Sequence, residues 1–89
     1  MVNCFTQKDV PDSAVYYDLP AFRPFWAPKA ALDVPIYLLP QLTIPSRATS
    51  YEGHRWLYSA AWDFGSETAT QALRLIGSGL FDAFPRLQV

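Results

Sequence analysis

The stretch TSYEGHRWLYSAAWDFGSETATQALRLIG, residues 49–77, contains no proline, so a long helix can run through it. Thr49 followed three residues later by Glu52 matches the capping box that opens a helix, because each side chain can satisfy a backbone amide of the first turn. From Arg55 onward, Arg55, Ser59, Asp63, Ser66, Thr70, Arg74, Ser78 and Asp82 recur every three or four residues and mark a polar face. The opposite side carries Leu57, Tyr58, Ala61, Trp62, Gly65, Ala69, Ala72, Leu75, Ile76, Leu80 and Ala83, an apolar arc wide enough for a buried helix. This pattern predicts one long amphipathic helix from Thr49 to about Ile76. Gly77 and Gly79 are placed to end or bend it, and residues 80–84 can add a turn before Pro85.

Working backward from Thr49, the grammar is different. Pro11, Pro20, Pro24, Pro28, Pro35, Pro40 and Pro45 divide the first half too finely for a helix of ordinary length, and each biases its predecessor toward extended geometry. At most one helical turn is expected, over residues 29–33. The prolines alternate with Tyr16, Tyr17, Phe22, Phe25, Trp26, Ile36, Tyr37 and Leu38, apolar side chains that need a surface to bury against. The expected organisation is an extended proline- and aromatic-rich arm over residues 1–47, followed by the helical segment over residues 48–89. The fold class expected is mainly α, with little or no independent globular core.

Composition narrows the function classes. With 89 residues there is room for one small domain; the chain is 51% hydrophobic and 17% charged, which argues against intrinsic disorder. A net charge of -1 with scattered arginines gives no footprint for nucleic acid. Cys4 is the only cysteine, so no internal disulfide can form. Lys8, Asp9 and Asp12 interrupt the window a signal peptide would occupy, and secretion is not expected. Asp63, Glu67 and Arg74 argue against an unaided membrane span, since each costs about 2.5–3.5 kcal/mol near a bilayer centre. A helix lying on a membrane surface, with Trp56, Tyr58 and Trp62 at the interface, remains compatible with the pattern.

No motif points to catalysis. His54, Glu52 and Cys4 could form a nucleophile and base set, but nothing in their spacing requires it. Asp9, Asp12 and Asp18 lack the alternating oxygens and glycine turn of a calcium loop and read as solvent-facing charges. No catalytic residue, metal ligand or cofactor is expected. The most specific feature is the series Ala61, Gly65, Ala69 and Ala72, small residues at a spacing that lets another helix approach closely.

Phe22, Phe25, Trp26, Tyr37 and Trp62 join that series as candidate partner-binding residues. The expected function is therefore that of a non-catalytic accessory subunit wrapped onto larger protein subunits, without a small-molecule substrate. Low charge and high aromatic content lean toward a membrane-associated, energy-converting complex of the mitochondrial inner membrane. The alternative is a compact stand-alone inhibitor or adaptor, of the kind a phage encodes, binding one target through an aromatic patch.

Overall fold

Parallel strands, not an extended arm, organise the first half of the chain. In the computed structural model, which describes residues 2–7 and 12–89, β1 (Val2–Asn3) pairs in parallel with β4 (Leu38–Leu39), Val2 opposite Leu38. A further parallel bridge joins Pro35 to Gln88, with the Ile36 amide donating to the Gln88 carbonyl at 2.8 Å. Parallel neighbours require a crossover, and here α1 (Arg23–Leu32) supplies it between β1 and β4. A short antiparallel pair, β2 (Phe5–Thr6) with β3 (Val15–Tyr16), lies beside it. Lys8, Asp9 and Pro11 fall outside the described residues.

Helix α1 forms across two prolines. Pro24 lies in the first turn, where a missing amide costs nothing, and Pro28 deprives only the carbonyl of Pro24 of a partner; both residues are exposed. The helix stops at Asp33, in the left-handed conformation at φ 54°. Its anchor is Trp26, fully buried, whose indole N–H donates to the Tyr17 carbonyl at 2.8 Å. Trp26 joins Ile36, Leu75, Leu80 and Leu87 in the main core, and Val2, Phe22, Phe25 and Leu38 pack around them. A second cluster of Cys4, Phe5, Tyr16 and Ile44 lies under the antiparallel pair.

The expected fold class is therefore corrected: this is a mixed helix and sheet structure with its own core. The long helix expected from Thr49 is broken into pieces. A four-residue helix, α2 (Pro45–Ala48), runs into a 3₁₀ turn at Thr49–Tyr51, and Glu52 has left helical geometry at ψ 132°. Gly53 at φ 79° and Ser59 at φ 126° then turn the backbone through conformations no helix contains. Thr49 caps nothing; its hydroxyl donates to the Ser46 carbonyl at 3.2 Å. The regular helix, α3, begins only at Asp63 and ends at Gly77, and Gly79 at φ 78° leads into α4 (Leu80–Ala83). No helix among the described residues is long and apolar enough to cross a membrane.

Candidate functional site

Helix α3 matches its sequence pattern only in part: Leu75 of the apolar arc is buried and Arg74 of the polar face is exposed, but Asp63 is buried and Gly65, Ala69 and Ile76 are exposed. Its buried residues are Asp63, Glu67, Gln71 and Leu75, four apart and thus on one face, while Ala61, Trp62, Gly65, Ala69, Leu73 and Ile76 are exposed. The three polar members form a ladder of acceptors. The Thr43 amide donates to Asp63 Oδ2 at 2.9 Å, the Tyr16 hydroxyl to Glu67 Oε2 at 3.1 Å, and the Tyr17 amide to Gln71 Oε1 at 3.1 Å. Each donor comes from the first half of the chain, so the ladder ties the two halves together. One turn further on, Arg74 makes a two-pronged ion pair with Asp18, at 2.7 and 3.1 Å.

The ladder's centre is a Tyr16, Arg47 and Glu67 triad. Arg47 Nη1 donates to the Tyr16 hydroxyl at 2.6 Å and lies 3.7 Å from Glu67 Oε1. Burial pushes the Tyr16 phenol up, and the Arg47 hydrogen bond opposes the shift. Burial also raises the Asp63 carboxyl; the Thr43 amide pulls it back and the nearby Glu67 charge raises it further. Among the described residues four buried side-chain atoms have no hydrogen-bond partner: Gln41 Oε1, Thr43 Oγ1, Asp63 Oδ1 and Gln71 Nε2. The arrangement fixes a phenol between a cation and an anion, but it presents no activated nucleophile. The Cys4 thiol, raised by burial, donates to the Leu39 carbonyl at 3.2 Å and contacts Thr68 Oγ1 at 3.5 Å. A thiol held in its neutral form is a poor nucleophile.

The residues singled out from sequence are dispersed. Trp26 lies inside the core, Phe22 and Phe25 are half-buried against it, and Ala72 is half-buried on α3. Tyr37, Ala61, Trp62, Gly65 and Ala69 are exposed. His54, also exposed, stands edge-on to Trp56 at 6.3 Å rather than beside Cys4. Asp12 and Asp18 are not simply solvent-facing charges: Asp12 accepts from the Ser46 amide at 3.0 Å, and Asp18 pairs with Arg74. Sequence reasoning missed the ladder because it put Asp63 on a polar face with Ser66, Thr70 and Arg74, read Glu67 only as a charge that opposes a membrane span, and gave Gln71 no role. The available signal was their strict four-residue spacing in line with Leu75.

No protein-family model matches the chain. It is similar to a γ-resorcylate decarboxylase of Rhizobium radiobacter, 49% identical over all of this chain and 27% of that protein. A decarboxylase of Emericella nidulans is 30% identical over 83% of this chain and 24% of its own length. Among solved structures, a Rhizobium 2,6-dihydroxybenzoate decarboxylase superposes with a TM-score of 0.91 at 50% identity, over 97% of this chain and 27% of that one. A Polaromonas dihydroxybenzoic acid decarboxylase with bound manganese and 2-nitroresorcinol gives 0.80 at 53% identity, over 84% of this chain and 23% of that one. These findings overturn the non-catalytic accessory subunit, its mitochondrial complex and the stand-alone inhibitor alike, because the relatives are enzymes. They equally overturn the expectation of no small-molecule substrate, since one relative is complexed with 2,6-dihydroxybenzoate and another with an inhibitor, 2-nitroresorcinol. The chain is thus similar, along its whole length, to about a quarter of the length of the γ-resorcylate decarboxylases it matches.

Proposed function

We propose that this chain serves as a segment of a decarboxylase acting on dihydroxybenzoates. The observation that carries the reading is the superposition on the Rhizobium 2,6-dihydroxybenzoate decarboxylase, with a TM-score of 0.91 at 50% identity. The reaction breaks the bond between ring and carboxylate, releases CO2 and leaves an electron pair on the ring carbon that a proton must fill. The chain's contribution is scaffolding: parallel strands crossed by α1, and the ladder on α3 that locks Tyr16, Arg47 and Thr43 in place.

Manganese accompanies one relative, and the residues here do not fit such an ion by themselves. Among the described residues no three His, Cys, Asp or Glu side chains form a group able to hold a metal. Asp63 and Glu67 are only a pair, and Glu67 is already engaged by Tyr16 and Arg47. A hard cation needs about six oxygen or nitrogen ligands, more than this pair can supply.

The test is a chimera in which this chain replaces the matching segment of the Rhizobium enzyme. Loss of 2,6-dihydroxybenzoate with stoichiometric CO2 and 1,3-dihydroxybenzene is the expected result. A chimera that melts cooperatively and elutes like the parent, yet turns over no dihydroxybenzoate, refutes the reading.

A further inference from the structure

The turns between α2 and α3 enclose a cavity of about 290 Å³, lined by Ala48, Tyr51, Glu52, Arg55 and Tyr58. Its walls are two half-buried rings, Tyr51 and Tyr58, with centroids 6.1 Å apart and planes at 70°. The Tyr58 hydroxyl donates to the Thr43 carbonyl at 3.2 Å, which holds that ring in place. Glu52 at ψ 132°, Gly53 at φ 79° and His54 at φ -135° turn the backbone, so that Glu52 and Arg55 both reach the same cavity. Both are exposed, and they carry opposite charges. Among the described residues the ion pairs are Arg47 with Glu67, Arg74 with Asp18 and Arg86 with Asp33; Glu52 and Arg55 enter none, not even with each other.

We propose that this cavity binds a zwitterionic α-amino acid with an aromatic side chain. The proposal does not depend on the decarboxylase reading, because it follows from the chemistry of this chain's own lining residues. About 300 Å³ is the lower end of small-molecule pockets, room for a guest with one ring. The Arg55 guanidinium matches a carboxylate with two parallel N–H donors, and the Glu52 carboxylate accepts from an ammonium. The tyrosine rings pack against an aromatic side chain and attract the ammonium through their faces. Charge decides among ring compounds. A benzoate is drawn to Arg55 but repelled by Glu52, and an arylalkyl ammonium meets the reverse; a guest with both charges satisfies both residues.

The experiment titrates the chain near neutral pH with L-phenylalanine, hydrocinnamate, phenethylammonium and 2,6-dihydroxybenzoate, following the ring resonances of Tyr51 and Tyr58. L-phenylalanine should bind saturably and about tenfold more tightly than each of the other three, since each of those lacks one of the two charge-assisted contacts. Arg55→Ala and Glu52→Gln should each weaken it about tenfold, while Arg86→Ala, whose side chain pairs with Asp33 away from the cavity, leaves binding unchanged. All three positions are exposed, so melting of the variants should stay within about 2 °C of the parent. If a variant melts lower than that, the ligand series on the unaltered chain decides alone. Four results overturn the proposal: no saturable binding of L-phenylalanine, equal binding of any singly charged analogue, full retention of binding in both Arg55→Ala and Glu52→Gln, or a chain that does not fold by itself and so never forms the cavity.

Discussion

Replacing Asp63 by asparagine is expected to stabilise the isolated chain at neutral pH. Asp63 is fully buried, and its Oδ1 has no hydrogen-bond partner. Two influences favour the charged form: the Thr43 amide at 2.9 Å and the position in the first turn of α3, the latter contributing about 0.3–1 kcal/mol. Burial and the Glu67 charge oppose them and win, since the carboxyl is raised from its ordinary 3.8. A raised native pKa means the folded state holds the proton more tightly than the unfolded chain. The associated stability is therefore fully present below about pH 3.8 and lost as pH rises through the native value. Asparagine keeps the acceptor for Thr43 and removes the charge, for a gain of about 1 kcal/mol at pH 7. In a chain of this size that is about 4–8 °C of melting temperature. Urea titrations of Asp63→Asn and the parent across about pH 3.5 to 7 should show the difference growing with pH. A variant less stable than the parent at pH 7 would mean the carboxylate is charged and well supported, and the reasoning would be wrong.

Trp26→Phe should cost about 2–4 kcal/mol in urea melts, because it shrinks a fully buried side chain and orphans the Tyr17 carbonyl. Tyr16→Phe should cost about 1–3 kcal/mol, since Glu67 loses its buried donor and keeps Arg47 only at 3.7 Å; an unchanged midpoint would remove the triad from the stability account. The glycines should split: Gly79→Ala is expected to lose about 1–2 kcal/mol at φ 78°, whereas Gly65→Ala, in open helical space, should gain about 0.5–1 kcal/mol in the isolated chain. Equal shifts for the two would contradict the backbone assignment.

The end of the fold was more legible in the sequence than its beginning. Gly77, Gly79 and Pro85 announce their structure because their effects are local: one ends α3, one takes the left-handed turn, one follows α4. The prolines misled for a related reason. Pro24 and Pro28 forbid a helix only where their missing amides and ring clashes matter; in α1 Pro24 lies in the first turn and Pro28 deprives only the carbonyl of the exposed Pro24. Thr49 and Glu52 match a capping box, but Gly53 beside them adopts φ 79°, and that choice depends on how residues 54–62 lead into α3. The ladder was hidden because a carboxylate on a helix looks the same whether it meets water or Tyr16 and the Thr43 amide. Only the tertiary donors distinguish the two.

Helix α3 buries Asp63, Glu67 and Gln71 beside Leu75, while Gly65, Ala69, Leu73 and Ile76 lie outside. Leu73 and Ile76 are 68% and 63% exposed, and burying either is worth about 1.5–3 kcal/mol. Asp63, Glu67 and Gln71 meanwhile give up water on the covered side and recover only part of its hydrogen bonding, as the unpartnered Asp63 Oδ1 and Gln71 Nε2 record. The two faces cease to conflict if a larger fold covers both. The ladder then fixes how α3 sits on Tyr16, Tyr17 and Thr43, and Leu73 and Ile76 supply the apolar contact on the other side. Ala69, on the same exposed side, is small enough to let a neighbouring element approach. Under the proposed decarboxylase reading, α3 would be covered on both sides, which accounts for an apolar arc of which Leu75 is buried while Gly65, Ala69 and Ile76 face water.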